Sequence, residues 1–218
     1  MKNLFTRVFS YVFFFAFMST SSEVMAFEFF KSKKESYIPS INESKERGEL
    51  VLKNLQEYIE STIYIVEVFR KEKSPILAVT SEKDMCIVVL NTNEEAWALW
   101  EIFMVGLSTE EKINMVELGI AHEIGHCKEY EMLSKNSDNK MISLSEKFAD
   151  EYAIAYSLMY MGDSSSVVIQ KLLQVRKDLE SVFYNSHNTF LHSKDVFLRL
   201  KDLSHGQEGC PHLFMSSN

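Results

Sequence analysis

His122 and His126 stand four residues apart with Glu123 between them, inside a stretch that carries the start signal and apolar spacing of a helix. Ser108 lies three residues before Glu111, the capping-box arrangement in which side chains satisfy the first backbone amides of a helix. Beyond it Ile113, Val116, Ile120 and Ile124 recur on or near one side, and this spacing predicts a helix running to about Leu133. Residues four apart on a helix share a face, so both imidazoles project the same way. Imidazoles so placed can bind one Zn²⁺ at about 2.0–2.1 Å, with Glu123 set to act on a bound water without ligating the metal. Average residue usage produces such a pattern by chance in roughly one per cent of chains this long. The pair does not decide the matter alone, and the rest of the chain has to supply a third ligand.

The helix expected after a polar loop (Lys135 to Met141) offers one. Glu146 lies 20 residues past His126, enough for the first helix to finish, turn and send a second helix back past the metal. A carboxylate there completes a His₂Glu set and leaves the fourth position open to water, as a catalytic zinc requires. Asp150 falls one turn further on the same face. It can accept the second N–H of a ligand histidine and fix its tautomer. The competing reading makes Glu146 the partner of Ser143 in a capping box and Asp150 a solvated charge. The upstream histidine pair weighs against that coincidence. Cys127 follows His126 directly, about 100° round the helix, so it is expected in the core or in a disulfide and not at the metal.

Together, His122-Glu123-Ile124-Gly125-His126 and Glu146-x-x-Ala149-Asp150, followed by Glu151-Tyr152-Ala153, resemble the gluzincin metallopeptidases. The closest pattern is that of the CAAX-prenyl protease and heat-shock membrane protease family and its soluble periplasmic relatives. The resemblance covers residues 121–155. It implies one Zn²⁺ per chain held by His122, His126 and Glu146, Glu123 as general base, and Asp150 behind a ligand histidine. It also implies a small zincin fold in which the edge strand of a hairpin holds extended substrate backbone.

The two ends of the chain read differently from its middle. Lys2 and Arg7 precede an apolar run, Val8 to Met18, then a polar stretch and Val24-Met25-Ala26. This is a secretory signal pattern with Phe27 as the expected mature start. The run is about 11 residues, against about 20 needed to span a bilayer, which favours cleavage over the alternative of a retained anchor, and no stable membrane span is expected after cleavage. Without residues 1–26 the chain has 21 basic and 30 acidic residues and a net charge of −9, which argues against nucleic acid or an anionic membrane surface as partner. The expected location is across the inner membrane, in the periplasm. Cys86, Cys127 and Cys210 then allow one intramolecular disulfide, and the three pairings stay open. Cys210-Pro211-His212 is weak evidence for a second metal site.

Few Gly and Pro (7 and 3) beside 11 Met favour helix over strand, and 218 residues can bury one core. The expected fold is α+β and predominantly helical, with a β-hairpin or small sheet beside the His-Glu-x-x-His helix. Residues 27–48 read as a flexible polar lead-in, 49–204 as the domain and 205–218 as a loose tail. Within the domain, Leu52, Leu55, Ile59, Ile63, Val66 and Phe69 suggest a helix over 49–73, with β-branched residues near Ile63–Val68 arguing against its far end. Ile76–Val79 and Cys86–Leu90 read as a hairpin. Helices follow over about 94–105, 108–133, 144–161, 165–182 and 193–203. His187, His192, Tyr156 and Tyr184 are candidates to stabilise an oxyanion, and none can be assigned from sequence. His205 and His212 are expected to be solvent-exposed. The functional expectation is an exported zinc metallopeptidase acting on peptide or protein, its oligomeric state open. The rivals are a non-catalytic zinc-binding chaperone or assembly factor and a zinc-free helical module.

Overall fold

The computed structural model describes residues 37–72, 74–81, 85–134, 145–180 and 189–204. The signal pattern at 1–26, the tail at 205–218, the loop at 135–141, Ser143, Tyr184 and His187 lie outside them. The described residues form a predominantly helical α+β fold with one three-stranded sheet. In chain order the elements are α1 (Ile41–Leu55), β1 (Thr62–Val68), β2 (Ile76–Ser81), β3 (Met85–Asn91), α2 (Glu94–Phe103), α3 (Thr109–Ser134), α4 (Glu146–Tyr160), α5 (Ser165–Glu180) and α6 (Phe190–Ser204). Among the described residues no helix is long and apolar enough to cross a membrane.

The N-terminal part departs from the sequence reading. Ser40 and Glu43 form a reciprocal capping box, so α1 opens inside the stretch expected to be a flexible lead-in. Gly48 and Val51 face the core, which makes residues 41–48 part of the domain. The helix expected over 49–73 ends at Leu55, and residues 62–68 form a strand. Thr62, Ile63, Ile65, Val66 and Val68 are β-branched and lose side-chain freedom in a helix. The Glu131 carboxylate accepts the Ser61 N–H at 3.2 Å, the Ser61 hydroxyl at 3.1 Å and the Glu60 N–H at 3.3 Å, fixing where β1 begins.

The sheet order is β1-β3-β2. β2 and β3 form the expected antiparallel hairpin, with Ala78 opposite Val88, while β1 adds parallel to β3 on its other side. The β1–β2 connection therefore crosses the end of β3. Asn91 holds it there: its Nδ2 donates to the carbonyls of Glu72 and Ser74, both at 2.9 Å, and its Oδ1 accepts the Arg70 N–H at 2.9 Å. β2 is left at the edge of the sheet and packs directly against α3.

The long helix α3 begins at its expected capping box, with the Ser108 N–H donating to Glu111 at 2.6 Å. It is buried along most of its length between the sheet, α1 and α4. Two features lock this arrangement. A disulfide joins Cys86 of β3 to Cys127 of α3, which settles the pairing left open and agrees with Cys127 facing away from the histidine pair. At Gly125, an added Cβ would lie 2.9 Å from the Ala149 Cα and 2.9 Å from the Tyr152 Cβ. A hydrogen at this position lets α4 cross α3 almost backbone to backbone.

Candidate metal centre

The close crossing at Gly125 decides which side chains meet. On α3, His122, Glu123 and His126 are buried, at most 1% exposed. Opposite them α4 starts at Glu146, because Ser145 is its N-cap, accepting the Phe148 N–H, while the Ser145 N–H donates to Glu129 at 2.5 Å. The capping box expected between Ser143 and Glu146 is not how this helix opens. Glu146 is its first residue, and its carboxylate turns to the histidines and not back onto the cap.

The three side chains expected as ligands converge. One ligand atom from each of His122, His126 and Glu146 lies within 4.8 Å of the others. His122 Nε2 is 3.5 Å from Glu146 Oε2, and His126 Nε2 is 3.4 Å from Glu146 Oε1. Ordinary N–H···O hydrogen bonds span about 2.7–3.2 Å. Two ligands about 2.1 Å from a tetrahedral ion stand about 3.4 Å apart, which is the spacing of the two histidine–Glu146 pairs. The set can hold a metal ion.

Asp150 takes the place expected for it, and more. Its Oδ1 is 3.0 Å from His122 Nδ1. An ionised carboxylate can only accept, so Nδ1 carries the proton and the lone pair is on Nε2, the atom turned to the cluster. Burial pushes the Asp150 carboxyl up, but the Arg176 charge and the His122 hydrogen bond outweigh it and hold the group well below the usual range. For Glu146 burial also pushes up, and the two histidines with Arg176 again win, leaving it well below the usual range. Burial pushes His126 down, toward the neutral form a ligand needs.

Glu123 behaves in the opposite way. It is fully buried, and neither carboxylate oxygen has a partner at hydrogen-bonding geometry among the described residues. Burial, and then the Glu146 charge, push it well above the usual carboxylate range, and the Ala78 backbone N–H of β2 offsets only part of this. Two carboxyl groups side by side are thus driven apart in acidity. One is a stable anion among cation and donors, and the other is disposed to take a proton.

The remaining candidates fall elsewhere. The Tyr156 hydroxyl donates to Glu117 Oε1 at 2.7 Å and accepts from Asn54 at 3.1 Å, joining α4 to α1 and α3. His192 is half-buried, with Nε2 3.7 Å from Glu151 Oε2, and is not in the cluster. Sequence reasoning missed Arg176, Thr189 and Ser193. Arg176 lies on the buried stripe of α5 with Ile169 and Leu172, at spacings of four and seven. A charge on an apolar stripe was the available signal, since such a residue needs a buried partner. Compared with protein-family models, characterised proteins and solved structures, the chain matches none, so the site is read from its own geometry.

Proposed function

We propose that this chain is an exported zinc metallopeptidase that hydrolyses peptide bonds in a peptide or protein substrate. The observation that carries this reading is the joint burial of a converging His₂Glu set and, beside it, a second carboxyl group, Glu123, that is not one of its ligands. A structural zinc site has no use for that second carboxyl group and closes its fourth position with another ligand. Zinc bound by His122, His126 and Glu146 would polarise a scissile carbonyl and lower the pKa of a water toward about 7. Glu123 takes the proton from the attacking water and passes it to the leaving amine. Asp150 keeps His122 in the tautomer that ligates.

One neighbouring feature supports a peptide as substrate. Among the described residues β2 has no strand on its outer side, next to Glu123, so its backbone can pair with an extended chain. Export is supported by the signal pattern at residues 1–26 and by a disulfide in the core, a bond that persists in oxidising compartments.

The test is Glu123→Gln. The variant keeps one zinc per chain and loses cleavage of unfolded exported proteins, with a chelator-treated wild type as control. Cleavage that survives the substitution overturns the mechanism. A wild type that binds zinc and cleaves nothing points to a zinc-bearing scaffold, and one that binds no zinc overturns both readings.

A further inference from the structure

We propose that Arg176 is a positioning residue that sets two of the three metal ligands at once. The inference rests on the metal-binding half of the proposed function. Arg176 is fully buried. Its guanidinium grips Asp150 with two prongs, Nε to Oδ2 at 2.9 Å and Nη2 to Oδ1 at 2.6 Å. The same Nη2 donates to Glu146 Oε2 at 3.1 Å. Asp150 Oδ1 in turn lies 3.0 Å from His122 Nδ1. One planar group therefore fixes the Glu146 carboxylate directly and the His122 ring through Asp150.

The rest of the arrangement serves the same end. The Thr189 hydroxyl and the Ser193 hydroxyl donate to Asp150 Oδ2 at 2.7 and 2.9 Å, from the start of α6 and the residue before it. With these donors Asp150 has no freedom to rotate away from His122. On Glu146, Arg176 lies at Oε2, while Oε1 faces His126 Nε2 at 3.4 Å. Oε2 also lies 3.5 Å from His122 Nε2, so Arg176 fixes the plane in which Glu146 presents its two oxygens to the two histidines. Stability alone does not account for such a residue. Buried ion pairs are commonly no better for stability than apolar side chains of the same volume, and the neighbours of Arg176 on its stripe are Ile169 and Leu172. What an apolar side chain cannot do is hold two carboxylates in fixed orientations. Lysine cannot do it either, because a single ammonium lacks the fork.

The test compares Arg176→Lys with wild type in the full chain, reading zinc affinity by competition with a chromophoric chelator and coordination geometry from the visible spectrum of the Co²⁺-substituted protein. Arg47→Lys is the control: Arg47 pairs with buried Glu117 on the same helix α3, at 3.1 Å, and touches no ligand. The expected result is a 10- to 100-fold loss of zinc affinity and an altered Co²⁺ spectrum for Arg176→Lys, the range for residues that orient metal ligands. Arg47→Lys leaves both unchanged. If Arg176→Lys does not fold, Arg176→Gln, which keeps a planar donor but loses the charge and the fork, is measured instead and is expected to weaken zinc in the same range. A folded variant of lowered melting temperature but wild-type affinity and spectrum makes Arg176 merely structural and overturns the inference. Wild-type protein that binds no zinc overturns the proposed function, which is a separate outcome.

Discussion

Gly125→Ala asks whether the close crossing of α3 and α4 is what builds the metal centre. The new Cβ would stand 2.9 Å from the Ala149 Cα, 2.9 Å from the Tyr152 Cβ and 3.3 Å from the Ala149 carbonyl oxygen. Carbon atoms pack comfortably at about 3.5–4.0 Å, so α4 has to retreat by about 0.6–1 Å. Two of these contacts are backbone atoms, which cannot turn aside as a side-chain tip does. α4 carries both Glu146 and Asp150, and its retreat opens the 3.4 and 3.5 Å spacings to the histidines. Overpacking of this kind costs about 1–3 kcal/mol, while exchanging Gly for Ala inside a helix returns about 1 kcal/mol. Stability should therefore fall by only about 0–2 kcal/mol. Function should suffer more, since a displacement of about 1 Å at a reacting centre is enough to cost on the order of 100-fold in rate. Zinc affinity by chelator competition and chemical denaturation of the same samples separate the two effects. Gly119→Ala on the same helix is the control, because its Cβ meets only the tip of Ile76, at 3.1 Å, and that side chain can yield. Wild-type zinc affinity in Gly125→Ala would refute the reasoning.

Tyr156→Phe should cost about 1–3 kcal/mol of stability by stripping a buried bond from Glu117, yet leave kcat for the proposed peptide hydrolysis unchanged below the melting transition. A large loss of kcat would return Tyr156 to the reaction. Reducing the Cys86–Cys127 bond, which closes a segment of 41 residues, should lower stability by about 4 kcal/mol on the chain-entropy account. Urea titration with and without reductant checks this, and coincident curves would contradict it. Acid should loosen the start of β1 through Glu131. Burial pushes this carboxyl up, but the Ser61 N–H and the Lys128 charge hold it below its ordinary 4.5. A depressed folded pKa means that the stabilisation is complete above 4.5 and is lost as pH falls through the lower folded value. Melting temperature followed from pH 6 to pH 3 should fall less steeply in Glu131→Gln than in wild type. Parallel curves would remove Glu131 from the account.

The local signals that survived into the structure are those whose physics is local. The Ser108–Glu111 box and the apolar runs of β2 and β3 each depend on a few neighbouring residues, and each element lies where its signal put it. The strand β1 was misread because Leu52, Leu55, Ile59, Ile63 and Val66 keep a helical spacing straight through the end of α1. What breaks the helix is distant: pairing with β3 and the amides of Glu60 and Ser61 captured by Glu131, 70 residues on. Ser145 displaced Ser143 as the cap of α4 for a similar reason, since Glu129 on α3 holds the Ser145 N–H.

The sequence by itself determined that His122 and His126 share a face with Glu123 one position on. A helix of 3.6 residues per turn leaves no other arrangement. It also named Glu146 and Asp150, through spacing and the resemblance they complete. Tertiary structure alone decided that these groups converge, because convergence depends on a hydrogen at Gly125 and on how closely two backbones cross. It alone brought in Arg176, Thr189 and Ser193, which reach Asp150 from 26, 39 and 43 residues away. It alone drove apart two neighbouring carboxyl groups: burial raises both, and the histidines and Arg176 outweigh it at Glu146 while the Ala78 N–H and Arg176 do not at Glu123.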